Sequence, residues 1–126
     1  MLRVLCVDDV EFVHRDLANL IKLAGREVSF ESSTTYHEAL RKVTSKQYDI
    51  IFVDLCMDGE GNFPRQGYFP GGLKFAEHIR PLTSAKIIAI TGYGLSAIDG
   101  RDSFDGILLK PLSDSVKGLL KILEDV

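Results

Sequence analysis

The chain predicts an α/β fold built on a parallel sheet with helices on both faces. Three observations predict it. Short apolar runs alternate with segments of helical period along the chain. Four of those runs end in a polar, chemically useful residue: Leu2 to Val7 in Asp8-Asp9, Ile50 to Val53 in Asp54, Ile87 to Ile90 in Thr91, and Ile107 to Leu109 in Lys110-Pro111. The length of 126 residues is that of one domain, and a hydrophobic content of 45% is enough to pack both faces of a sheet.

The elements follow in order. Arg3 to Val7 is a short, continuous apolar strand. Val13, Leu17, Leu20, Ile21 and Ala24 then recur at i, i+4, i+7, i+8 and i+11, the stripe of an amphipathic helix, with Gly25 placed to end it. Glu27 to Ser32 alternates polar and apolar with Val28 and Phe30 on one face, which reads as an edge strand. Thr35 and Glu38 form a capping box that opens a helix with Tyr36, Ala39, Leu40 and Val43 inward. Asp49 to Asp54 is the most hydrophobic strand and belongs at the centre. Gly72 to Arg80 reads as a helix stopped by Pro81. Lys86 to Thr91 and Gly106 to Leu109 are the last two strands. Between them, Leu95 to Ser103 is poor helix, good for one or two turns. Ser113 is placed to cap a final helix with Val116, Leu119, Leu120 and Leu123 inward.

One stretch breaks the alternation. Asp54 to Gly72 exceeds the ~2–6 residues usual for a strand-to-helix connection. Its glycines, with Pro64 and Pro70, exclude a regular element. Phe63, Tyr68 and Phe69 suit a loop, with its insert at about 58–70, that docks beside the acidic residues and carries Arg65 near them.

If the strands are parallel, their C-terminal ends share one sheet edge, where open α/β sheets bind ligands. Asp8, Asp9 and Asp54 then converge with Thr91 and Lys110 in one crevice, a set suited to a divalent cation plus a phosphoryl group. Carboxylates ~5 Å apart repel by ~3 kcal/mol per pair at an effective dielectric near 20, so such a cluster favours binding a cation. Mg2+ takes oxygen ligands and typically uses one or two carboxylates together with phosphate. Taken alone, Asp8-Asp9 also reads as a helix cap with a solvated neighbour; Asp54 at the end of the central strand tips the balance. A hydroxyl and an ammonium beside a carboxylate can hold the outer oxygens of a phosphoryl group attached to it. Lys110 precedes a proline, and X-Pro bonds can adopt the cis form of a tight turn.

These residues resemble a known family. Asp8-Asp9 after the first strand, Tyr48-Asp49 through Asp54 to Met57, Thr91-Gly92 and Lys110-Pro111 are similar, in order and spacing, to the receiver domain of two-component response regulators, of the single-domain chemotaxis kind. The resemblance covers nearly the whole chain, residues 1–126. It implies a flavodoxin-like (βα)5 fold with a five-stranded parallel sheet in the order 2-1-3-4-5. It implies that Asp54 accepts a phosphoryl group from a histidine kinase or histidine phosphotransfer protein and that partner binding switches in response. Mg2+, with Mn2+ as a substitute, would be held by Asp9, Asp54 and the backbone carbonyl of Cys56, with Asp8 acting through a water. Thr91 would be the switch hydroxyl and Lys110 the phosphate-binding ammonium. A protein of this kind is not an enzyme on other substrates and catalyses only its own Mg2+-dependent phosphorylation and dephosphorylation. An unidentified downstream protein and a phosphorylation-dependent dimer complete the expected partners.

The chain departs from the family pattern in three places. The loop after Asp54 is longer, Ile107 stands where receivers often carry Tyr or Phe, and the span from Thr91 to Lys110 is shorter. Ile107 and the short span favour the alternative of a receiver-like scaffold that binds partners independently of phosphorylation. The complete acidic set argues against it. A dehalogenase-type phosphatase would need Asp-x-Asp after the first strand, and a flavodoxin would not place Asp8, Asp9 and Glu11 against a phosphate.

Composition excludes other classes. The net charge of −3 gives no basic footprint for nucleic acid. No apolar run approaches the ~18 residues of a membrane span, and the start has no signal-peptide layout, so the cytoplasm is the expected location. Two cysteines make no disulfide framework; Cys6 should be a buried thiol and Cys56 should lie beside the site. His14, His37 and His78 lack metal-ligand spacing and read as solvated helix residues. Phe12 and Val13, just after the acidic pair, read as core or half-exposed, with the first helix as a candidate partner contact.

Overall fold

A computed structural model describes residues 1–55, 71–92 and 103–126. Within them lie strands β1 (Leu2–Val7), β2 (Val28–Ser33), β3 (Ile50–Asp54), β4 (Lys86–Thr91) and β5 (Gly106–Leu109). The helices are α1 (Glu11–Leu23), α2 (Tyr36–Ser45), α3 (Gly71–Ile79) and α4 (Val116–Glu124). All strand pairs are parallel and the order is β2-β1-β3-β4-β5, as expected for the flavodoxin-like arrangement. The insert at about 58–70 with its aromatics and Arg65, Cys56, and the stretch from Leu95 to 102 lie outside the described residues.

Strand alternation sorts the core into two layers. Leu5, Val7, Ile51, Val53, Ile87 and Ala89 pack with Tyr36, Ala39 and Val43 of α2 and with Leu73, Phe75, Ala76 and Ile79 of α3. Val4, Cys6, Ile50, Phe52, Ile88, Ile90 and Leu108 face the other way, against Val13, Leu17 and Ile21 of α1 and Leu119 and Leu123 of α4. Every residue of β3 is buried, because the strand is flanked on both sides and covered on both faces. β2 at the edge buries its apolar residues only partly.

The helix signals work largely as read. Gly25, at φ 81°, ends α1: its N–H donates to the Lys22 carbonyl at 2.9 Å and the Arg26 N–H to the Ile21 carbonyl at 3.4 Å, the paired bonds of a Schellman motif. The Thr35 hydroxyl accepts from the Glu38 N–H at 3.1 Å to cap α2. The Glu38 carboxylate reaches back to the Thr34 N–H at 3.4 Å, one residue earlier than the usual box. α3 passes into a 3-10 turn over Arg80–Leu82, as Pro81 requires.

Two expectations need correction. Ser113 does not cap the last helix. A 3-10 turn over Leu112–Ser115 follows Pro111 and delays the start of α4 to Val116. The Ser115 hydroxyl instead closes on Leu109, accepting from its N–H at 3.0 Å and donating to its carbonyl at 2.9 Å. The delayed start turns the apolar stripe, so Leu112, Leu119 and Leu123 are buried while Val116 and Leu120 are 36% and 42% exposed. His14 is also not a surface residue. It is buried on α1, and its Nε2 lies 2.7 Å from the Asp8 carbonyl, close enough to close the β1–α1 turn. His37 and His78 are exposed, as expected.

Candidate acidic phosphoryl site

Parity explains why the polar residues meet. Asp8 continues the row of Val4 and Cys6, Asp54 the row of Ile50 and Phe52, and Lys110 the row that contains Leu108. All three therefore project from the same side of the sheet, where the strands end. β1 and β3 are neighbours, so Asp8 and Asp54 stand side by side. Lys110 comes from β5, two strands from β3, and its long side chain spans the gap.

The contacts are close. Lys110 Nζ lies 2.9 Å from Asp8 Oδ2 and 3.5 Å from Asp54 Oδ1. One carboxylate oxygen from each of Asp8, Asp9 and Asp54 falls within 4.8 Å of the others. Asp8 is fully buried and Asp54 is 5% exposed, while Asp9 is partly open to solvent. Asp8 is also fixed through its other oxygen, which accepts from the Val10 N–H at 2.8 Å. Thr91 ends β4 next to Asp54 and is buried, and its carbonyl accepts from the Lys110 N–H at 2.8 Å. The Lys110-Pro111 bond is cis.

The electrostatics favour a charged Lys110 ammonium. Burial alone would lower the Lys110 pKa, but its hydrogen bond to Asp8 and the charges of Asp54 and Asp8 more than offset that and raise it above the ordinary lysine value. The Cys6 thiol, buried beneath Asp8, is pushed well above the ordinary value by burial and by the Asp8 charge, so it is an inert core thiol. Three carboxylates gather around one ammonium in this cluster. An oxygen-ligated divalent cation suits such a group, with Asp9 the most exposed of the three. The expected backbone ligand, the carbonyl of Cys56, lies outside the described residues.

The backbone around Asp54 is held tightly. The Tyr36 hydroxyl donates to the Asp54 carbonyl at 2.7 Å, the Leu55 N–H donates to the Ile90 carbonyl at 3.1 Å, and the Gly72 N–H donates to the Leu55 carbonyl at 2.8 Å. Gly72 has no substitute here, since a Cβ would collide with the Asp54 carbonyl oxygen and stand 2.6 Å from the Leu55 Cα. Helical periodicity places Tyr36 simply in the core. Nothing in helical periodicity distinguishes a buried ring that carries a used hydroxyl from one that only packs.

Fold and site together define a doubly wound α/β domain with a cation-ready acidic pocket at the ends of its central strands. The chain belongs to the response regulator receiver domain family, whose model matches residues 4–116. It is 26% identical over 127 residues to an uncharacterized response regulatory protein of Vibrio cholerae, covering 96% of this chain and 49% of that protein. It is 32% identical over 63 residues to the sensory transduction protein LytT of Bacillus subtilis, covering 50% of this chain and 26% of LytT. The chain thus spans at most about half the length of these curated relatives. Among solved structures it resembles the response regulator TrrA of Thermotoga maritima, in complex with Mg2+–BeF, at 28% identity and a TM-score of 0.74 over 98% of this chain and 99% of that one. A CheY-like receiver domain from Methylobacillus flagellatus shares the fold at a TM-score of 0.75 and 21% identity, covering 99% of this chain and 98% of its own. Among the described residues, no helix is long and apolar enough to cross a membrane.

Proposed function

We propose that this receiver is phosphorylated on Asp54 by a histidine kinase or histidine phosphotransfer protein and that the modification switches its binding of a downstream protein. The observation that carries this is the Lys110 ammonium set between two buried carboxylates, 2.9 Å from Asp8 and 3.5 Å from Asp54, in a three-aspartate cluster. In the transfer, an Asp54 carboxylate oxygen forms the new bond to phosphorus. The P–N bond to the donor imidazole breaks, its electron pair stays with the ring nitrogen, and the phosphoryl oxygens gain the Lys110 ammonium and the Thr91 hydroxyl as partners. Lys110 would stabilise the charge that develops on those oxygens. Asp9, Asp54 and the Cys56 carbonyl would hold Mg2+ or Mn2+, with Asp8 acting through a water. The cation, when bound, supplies charge neutralisation at the phosphoryl oxygens. The Mg2+–BeF complex of the Thermotoga maritima relative supports that pairing of a cation with an anionic group in this family.

On this reading the chain is not an enzyme for other substrates, and it acts in the cytoplasm. Phe12 and Val10, 58% and 45% exposed beside the acid pair, are apolar contacts for the phosphodonor protein. The partner response is a change of binding or dimerisation. Acetyl phosphate with Mg2+ should label the protein once, and Asp54→Asn should remove the label, read by intact-protein mass spectrometry. Full labelling of the Asn variant would overturn the assignment. A phosphorylation-independent scaffold has one observation in its favour: Ile107 is aliphatic and partly buried against the α2–α3 layer. Unchanged partner capture by Asp54→Asn would support that reading instead.

A further inference from the structure

We propose that Tyr36 is a positioning residue for Asp54, acting through the main chain of the acceptor and not through its carboxylate. The inference rests on the acceptor reading of Asp54. Tyr36 is the first residue of α2, and the Thr35 cap sets where that helix begins. Its side chain is completely buried and runs to the end of β3, where the hydroxyl donates to the Asp54 carbonyl at 2.7 Å. The ring is stacked on Phe75 of α3, with centroids 5.5 Å apart and planes at 25°.

The carbonyl of Asp54 and the N–H of Leu55 belong to one peptide unit. Tyr36 takes the carbonyl, and the Ile90 carbonyl of β4 takes the N–H. Both polar groups of the unit are tied from opposite elements, which fixes the plane that follows the Asp54 Cα. Gly72 then closes against the same carbonyl, where any Cβ would be too near. With that plane fixed, the direction in which the Asp54 side chain leaves the backbone is fixed as well. The carboxylate is thereby held in line for the incoming phosphorus, and misplacement of a nucleophile by a fraction of an ångström is costly in rate. Losing the hydroxyl lets the peptide unit tilt while leaving the ring, the acidic cluster and Lys110 in place.

The test compares Tyr36→Phe with Phe75→Leu. The first removes the hydroxyl and keeps the ring; the second loosens the stack and keeps the hydroxyl. Wild type and both variants are labelled with acetyl phosphate and Mg2+ over a range of donor concentrations, and the melting temperature of each is measured. Tyr36→Phe should lower the maximal labelling rate roughly two- to tenfold, the range expected for one hydrogen bond. It should leave the half-saturating donor concentration within about twofold, because Lys110 and Thr91 hold the donor phosphoryl group. The Asp54 carbonyl carbon should shift in the NMR spectrum of that variant. Phe75→Leu should lower the melting temperature and retain most of the labelling rate. A Tyr36→Phe protein labelled at the wild-type rate would overturn the inference, as would Phe75→Leu slowing labelling as much as Tyr36→Phe, which would tie the rate to stability alone. A wild type that takes no label would overturn the acceptor reading and this inference with it, an outcome distinct from the other two.

Discussion

Asp8 and Asp9 are neighbours in sequence and opposites in setting. Asp8 is fully buried, with one oxygen on the Val10 N–H and the other against Lys110, whereas Asp9 is partly open. A fully buried carboxylate already engaged on both oxygens is poorly placed to ligate a cation directly, and the more exposed Asp9 is better placed. Asp8→Asn should therefore weaken Mg2+ binding in the ~10–100-fold range typical of an outer-shell partner. Asp9→Asn should weaken it further, and isothermal titration of Mg2+ checks the order. A larger loss for Asp8→Asn would reverse the assignment of the two roles. His14 belongs to the same scale. Its burial against the Asp8 carbonyl ties the acid pair to α1, a role that its place in the sequence, between Val13 and Arg15, does not announce.

Between elements, charged side chains work at the ends. The Arg26 guanidinium donates to the Leu123 carbonyl at 2.6 Å, satisfying the last turn of α4 from the α1–β2 connection. Arg80, just past α3, pairs with Asp105 at 3.0 Å, and Asp105 also accepts from the Ile87 N–H at 2.9 Å, which joins α3, β4 and the entrance to β5. Burial would raise the Asp105 pKa, but the Ile87 N–H, the Arg80 hydrogen bond and the charges of Arg80 and Lys86 outweigh it and hold the carboxyl below its ordinary value of 3.8. A depressed carboxylate contributes its stability above the unfolded value, and that stability is lost as pH falls through the lower folded value. Asp105→Asn should thus cost stability at neutral pH, by roughly 1 kcal/mol or less given the partial exposure of the pair. The gap to wild type should close below about pH 3.8. Denaturant melts at pH 7 and pH 3 measure it, and a gap that widened in acid would contradict the sign.

For the molecule as a whole, the acidic cluster couples folding to cation binding. Carboxylates within 4.8 Å of one another repel in the absence of a cation, and the folded chain alone presents them together. Mg2+ should therefore stabilise the protein by ~2.7 kcal/mol at one hundred times its dissociation constant. For a domain of 126 residues, that corresponds to a rise in melting temperature of roughly 10 °C. Thermal melts with and without Mg2+ test it, with Asp9→Asn expected to lose most of the rise. An unmoved wild-type melting curve would remove the metal from the account.

The alternation of apolar runs and helical stripes was enough to predict the α/β class, because burial on both faces of a parallel strand demands continuous apolar runs and the crossovers demand amphipathic helices. The same runs, through the residues that end them, named Asp8, Asp9, Asp54, Thr91 and Lys110 before any of them had a position in space. The resemblance to receivers, not the periodicity, supplied the strand order. Tertiary structure decided what depends on distance across the chain: that Lys110 reaches Asp8 at 2.9 Å, that His14 is buried, and that Tyr36 reaches across to the Asp54 carbonyl. It also moved the start of α4 to Val116, turning Val116 and Leu120 outward. Periodicity records which face of an element is apolar. It does not record where a helix begins after a turn, nor which atom of a buried side chain meets a partner eighteen residues away, because both are set by how separate elements pack.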